Sequence, residues 1–378
     1  MAGSSFVDAD GVDLLALLRA LIAIASPDPP GDELKVAELV HATLHELGIP
    51  AELDVFAPGR ANVIGRLQGR GTAPALVLSA HMDTVPVGTR PWTRDPFGGA
   101  VEGSRVFGRG AADVKGELAA MIAAAADLRA RDVPLPGDVV LAFTAGESSN
   151  LLGARRCVQR GLMDGVGALL VGEPSGLDVV AVEMAALWLR LTATGRIGHV
   201  SGDPGCNAID VLRHALNRLE GVDLPGPAHP LTGPARLAVG RIEGGSAVNV
   251  TPDRCHADID LRLPPGVDPA AAEAVVAAAV RPAVEVTRLD LKPAVEAATD
   301  AAFTRRCQAA VRRHGGRGEV RGVAYFSDAA VLAAGRDVAF AIVGPGEIGL
   351  SAQPDEWVDL AKVEAAARIY AEVAESWG

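Results

Sequence analysis

The chain has 378 residues, 49% of them apolar and 4% aromatic, and a formal net charge of −12. That length exceeds one compact core and allows two or three domains, while the ordinary globular composition excludes a disordered or fibrous chain. With no run of Lys or Arg, an acidic chain repels a phosphate backbone, which excludes a nucleic-acid binder.

The opening MAGSSFVDADGVDLLALLRALIAIAS carries acidic residues where an export signal has a basic region, and its apolar positions recur at helical spacing. It predicts a helix over Val12–Ala25, followed by a second over Glu33–Leu47. Short apolar runs at Asn62–Leu67, Ala75–Ala80, Asp138–Thr144 and Ala168–Val171 read as strands, with an alanine-rich helix Val114–Leu128 among them. Strands alternating with helices predict an α/β domain with a mostly parallel sheet covered on both faces. Functional groups are then expected at the carboxyl ends of the strands.

From about Glu183 the pattern changes to a strand (Ala186–Thr194), a helix (Ala208–Leu219), strands at Leu237–Ile242 and His256–Leu263, a helix (Pro269–Val280) and a strand (Val284–Leu291). That βαββαβ order is the ferredoxin-like unit, expected as an insertion over residues 183–293 between α/β portions 1–182 and 294–378. An apolar strand Val338–Val343 and a closing helix Glu356–Ser376 complete the chain.

No apolar stretch is long enough to span a bilayer, so no membrane partner is expected. Cys157, Cys206, Cys255 and Cys307 form no CxxC pair. They read as small buried hydrophobes in a reducing, cytoplasmic compartment.

Polar groups stand where the predicted strands end. LVLSAHMDTVPVG places His81 just after an apolar run with Asp83 two residues on, and a ligating imidazole needs such a partner for its second nitrogen. Asp113 lies in a glycine-rich turn before a helix, and Glu147 and Glu173 end two further strands. This mix of oxygen and nitrogen donors suits zinc, with cobalt or manganese as alternatives.

In order, SAHMDTVP, GRGAADVKG, TAGES with LLGA, and VGEP resemble the motifs of the zinc-dependent N-acyl amino acid amidohydrolases and peptidases. Acetylornithine deacetylase, succinyl-diaminopimelate desuccinylase and glutamate carboxypeptidase typify that family. Further matches are GRIGHVS with CNAI, NVTPD, DLRLPPG, GPGEIG and QPDEWV, so the resemblance covers nearly the whole chain. It implies that His81 and Glu173 bind one metal ion, that Asp113 bridges two, and that Glu147 is the general base. It further implies that His199 reaches a partner subunit's active site to stabilise the oxyanion, and that Arg262 and Asn249 hold the substrate carboxylate. An Arg fork meets two carboxylate oxygens with two parallel N–H donors.

The chain departs from the family at two positions. Where the family has a second glutamate after Glu147, Ser148 stands, and where it has a histidine before the Pro-Asp-Glu tripeptide, Ala352 stands; no histidine follows His314. Both replaced groups serve the same ion. A single carboxylate with a neutral hydroxyl does not hold zinc against water, so one ion per chain is expected, with a metal-free chain as the alternative.

The resulting expectation is an amide-bond hydrolase acting on a small N-acyl amino acid or peptide-like substrate with a free carboxylate. The alternatives are non-hydrolytic amide chemistry, such as acyl transfer, condensation or cyclisation, and a non-catalytic binding homologue. The edge strands of the inserted unit, which the family pairs across a two-fold axis, imply a homodimer.

Overall fold

The computed structural model describes residues 7–8 and 11–378; the acidic stretch read ahead of the first helix lies mostly outside them. The chain divides into two compact units, one built from the chain through Ala181 with Glu296–Arg321 and Ser327–Gly378, the other from Val182–Val295 with Gly322–Phe326. The reading in chain order assigns Gly322–Phe326 to the closing α/β portion, whereas its contacts group it with the second unit.

The first unit is organised by a large mixed sheet. At its centre, strands Ala339–Ile342, Val166–Val171, Ala75–His81 and Val139–Thr144 run parallel in that order. Antiparallel strands flank them, with Arg60–Leu67 and Ala51–Ala57 on one side and Val179–Glu183 on the other. The parallel strands are buried almost throughout, which is why they read as unbroken apolar runs rather than alternating ones. Helix Gly116–Ala130 packs on helix Leu360–Glu375, and its alanines are small enough to bury nearly its whole surface.

Predicted and observed elements agree to within a few residues, with informative exceptions. Helix Gly116–Ala130 starts two residues later than the pattern suggests, because Asp113 and Val114 leave helical backbone angles in the preceding turn. The closing helix does not begin at Glu356. Trp357–Asp359 forms a strand paired with Arg105–Phe107, and the helix starts at Leu360, with the Asp359 side chain accepting the Ala361 N–H. Cys157, Cys255 and Cys307 are buried as expected, but Cys206 is exposed.

The second unit is a four-stranded antiparallel sheet in the order Arg236–Gly244, Arg254–Leu263, Ala185–Thr194 and Val284–Lys292. Helices Ala208–Leu219 and Pro269–Val280 pack against it, giving the ferredoxin-like βαββαβ arrangement expected. Buried and less buried positions alternate along the two central strands, as they do when one face carries the core.

Candidate metal centre

The three neighbouring parallel strands Val166–Val171, Ala75–His81 and Val139–Thr144 end on the same side of the sheet, and each delivers a polar group there. His81 is the last residue of its strand and pairs in register with Thr144. Glu147 follows Thr144 by one short turn, and Glu173 stands two residues beyond Val171. Asp113 arrives from the turn Ala111–Lys115.

His81 is buried, and its Nδ1 lies 2.9 Å from the carbonyl oxygen of Asp83. A carbonyl only accepts, so Nδ1 carries the proton and Nε2 is turned toward the carboxylates. Nε2 lies 3.2 Å from Asp113 Oδ1 and 3.6 Å from Glu173 Oε1. One donor atom from each of His81, Asp113 and Glu173 lies within 4.8 Å of the others. Nitrogen and carboxylate donors this close together could hold a single divalent ion.

The electrostatics support that fit. Burial pushes the Glu147 and Glu173 carboxyls well above the usual carboxylate range. Burial alone would lower the His81 imidazole, but the charges of Asp83 and Glu173 outweigh it and drive His81 upward. The site therefore favours positive charge at the place where Nε2 points, which a divalent cation would supply.

Asp83 is not aimed at this point. Its Oδ1 accepts the Glu147 N–H at 3.0 Å and its Oδ2 the Ser148 N–H at 3.1 Å. The residue after the His81 turn thus fixes the backbone that presents Glu147.

Among the described residues, the positions where a two-metal site would place the second cation's ligands, Ser148 and Ala352, carry no carboxylate or imidazole. Ser148 contributes its backbone to Asp83, Ala352 is exposed in a turn with φ +63°, and the Ser351 side chain hydrogen-bonds Asp113. Among the described residues, the only other cluster of three carboxylate or imidazole donors is Asp28, Glu33 and Asp83, which does not include Asp113. Among the described residues, the one such cluster that includes Asp113 is His81, Asp113 and Glu173.

In the second unit, His199 Nε2 lies 3.1 Å from Asn249 Nδ2, so these two expected residues meet. Arg262 is engaged with Asp260 at 2.8 Å and with the Ala324 carbonyl at 3.2 Å.

Several buried groups behind the centre escape the sequence reading. Glu356 accepts the N–H groups of Ala112 and Asp113 at 2.9 and 3.2 Å and pairs with the buried Arg109, so it holds the turn that carries Asp113. Its QPDEWV motif is visible in the sequence, but nothing there shows that the acid turns inward. Asp328 is buried, accepts from Thr144 Oγ1 and is pushed up to about 6, chiefly by burial. Its only sequence signal is its place before the short helix Ala329–Leu332.

Residues 77–376 match peptidase family M20/M25/M40. A probable succinyl-diaminopimelate desuccinylase of Staphylococcus epidermidis is 30% identical over 210 residues, 55% of this chain and 51% of the relative. The acetylornithine deacetylase of Edwardsiella ictaluri is 31% identical over 267 residues, 67% of this chain and 68% of that one. The chain spans about half the length of the first curated relatives it matches. In fold it is similar to an M20-family metallo-carboxypeptidase of Sulfolobus solfataricus, with a TM-score of 0.80 at 17% identity over 97% of this chain and 99% of that one. No described helix is long and apolar enough to cross a membrane.

Proposed function

The chain belongs to peptidase family M20/M25/M40, and from that premise we propose that it hydrolyses an amide bond in a small N-acyl amino acid or peptide-like substrate bearing a free carboxylate, using one divalent ion. The observation that carries this reading is the convergence of His81, Asp113 and Glu173 donors within 4.8 Å, beside a buried carboxyl at Glu147.

The surroundings of several groups support the roles that the family resemblance implies. A divalent ion held by His81, Asp113 and Glu173 would polarise the scissile carbonyl and acidify a water. Glu147, whose carboxyl burial pushes above the usual carboxylate range, takes the proton of the attacking water and passes it to the leaving amine. Asp83 holds Glu147 in place through two backbone N–H groups. His199, set by Asn249, stabilises the oxyanion, and Arg262 with Asn249 binds the substrate carboxylate.

Residues 183–293 act as a lid and pair two chains into a homodimer, and the enzyme works in the cytoplasm on a soluble substrate. Zinc is the expected ion, because tetrahedral sites with imidazole and carboxylate donors favour it.

The test combines elemental analysis of the purified chain with amine release from a panel of N-acyl amino acids. About one zinc per chain with turnover is expected. Tight binding of the same compounds without amine release overturns hydrolysis and points to amide transfer or formation.

A further inference from the structure

Behind the Glu147 loop sits a buried charge cluster that shares only Asp83 with the proposed chemistry. Asp28, Glu33 and Asp83 bring carboxylate oxygens within 4.8 Å of one another, and the Arg60 guanidinium lies against two of them. Arg60 donates to Glu33 Oε1 at 2.9 Å, to Asp28 Oδ1 at 2.8 Å and to the Pro30 carbonyl at 3.0 Å, with its side chain only 10% exposed. The same guanidinium reaches Ser149 Oγ at 3.4 Å, and Ser149 in turn donates to Asp28.

Two glycines make room for it. A Cβ at Gly31 would stand 2.2 Å from the guanidinium carbon, and one at Gly146 would stand 2.4 Å from Nη1. Both have positive φ, +97° and +72°, a backbone region open to glycine and strained for other residues. The guanidinium is thus wedged between the segment 27–33 and the loop 145–149 that carries Glu147.

The segment 26–28 is stitched to the segment that carries Asp83. Ser26 Oγ donates to the Met82 carbonyl at 2.8 Å, the Thr84 N–H donates to Ser26 at 2.9 Å, and the Asp28 N–H donates to Thr84 at 2.9 Å. Asp83 holds the Glu147 and Ser148 N–H groups from one side; Arg60 and Asp28 hold Ser149 beyond them, and Arg60 packs closely over Gly146 before them.

We infer that Arg60 is a positioning residue for Glu147: its guanidinium, spanning Asp28, Glu33, Gly146 and Ser149, fixes the loop that presents the proposed base. This deepens the reading of Glu147 as general base and rests on it for its kinetic consequence. The geometric claim stands without it. A buried guanidinium suits the task because its planar fork engages several acceptors at once, which an ammonium does not.

The experiment compares full-length wild type with Arg60→Met, Arg60→Lys and Ser149→Ala, by amide hydrogen exchange, metal content and kinetics. In Arg60→Met the Glu147 and Ser148 amides should exchange at least about tenfold faster, while amides of strand Ala75–His81 keep their wild-type rates. Metal content should be unchanged. On a turned-over substrate kcat should fall about 100-fold with KM little altered, as misplacement of a reacting group by about 1 Å predicts. Arg60→Lys should recover part of the loss, and Ser149→Ala, which leaves the buried charges in place, should loosen the same two amides. Unchanged exchange at Glu147 and Ser148 in the folded variants overturns the inference whether or not a substrate is known. Faster exchange with an unchanged kcat would confirm the clamp but sink the role of Glu147 as base. A loss spread evenly over all amides would show Arg60 to be a general stabiliser and overturn it as well.

Discussion

Asp83 Oδ1 accepts the backbone N–H of Glu147 at 3.0 Å. The residue two places after His81 therefore suspends the loop carrying the proposed base from the end of the strand that presents His81.

Replacing Glu147 by Gln keeps the shape and removes the proton acceptor. Turnover should fall by about 10²- to 10⁴-fold, while metal content stays at the wild-type value. Steady-state kinetics with elemental analysis checks this, and a Glu147→Gln enzyme of normal rate would remove Glu147 from the reaction.

The second ion should be recoverable. Ser148→Glu combined with Ala352→His supplies the two donors that the family has and this chain lacks, so zinc content should rise from about one to about two per chain. Mass spectrometry under native conditions reads the stoichiometry directly. If the double variant still binds one ion, features beyond these two positions exclude the second.

Metal removal should destabilise the first unit, because the ion binds only the folded arrangement of His81, Asp113 and Glu173. At free zinc 100 times its Kd the expected gain is about 2.7 kcal/mol, seen as a fall in Tm on chelation. His81→Ala should lose the ion, and chelator should no longer move its Tm.

Glu33 gives a pH signature separate from the metal. Burial, and then the charge of Asp83, push its carboxyl from the ordinary 4.5 up to about 7. The folded chain keeps a proton that the unfolded chain releases above about pH 4.5, so this group's contribution is complete below that pH and is lost as pH climbs to about 7. Glu33→Gln removes the loss. The variant should match wild type near pH 4 and exceed it above pH 7, by at most about 3 kcal/mol for a shift of this size. Urea midpoints measured between pH 4 and pH 8 test both the sign and the window.

If His199 acts across a dimer, Glu147→Ala and His199→Ala chains should each be inactive and regain part of the activity when mixed. Each mixed dimer then holds one complete site. Sedimentation of the mixture confirms the dimer, and mixed dimers without activity would place His199 in its own chain's site.

The residues at the strand ends were legible because chemistry and local structure coincide there. His81 ends an apolar strand and Glu147 and Glu173 follow one, and a buried parallel strand writes itself as an unbroken apolar run. The helices and strands of the ferredoxin-like unit were legible for a similar reason, since their amphipathic periods are local properties of the chain. The replaced positions Ser148 and Ala352 were equally local, read against motifs on either side.

Tertiary structure alone decided which buried charges meet. Arg60 and Ser149 are 89 residues apart, Arg109 and Glu356 are 247 apart, and no periodicity links them. Glu356 looks like the start of a helix in the sequence, yet its carboxylate is drawn inward to Arg109 and to two N–H groups beside Asp113. A buried charge must find its partner wherever the fold brings one, so its placement is a property of the packed chain and not of the segment that carries it.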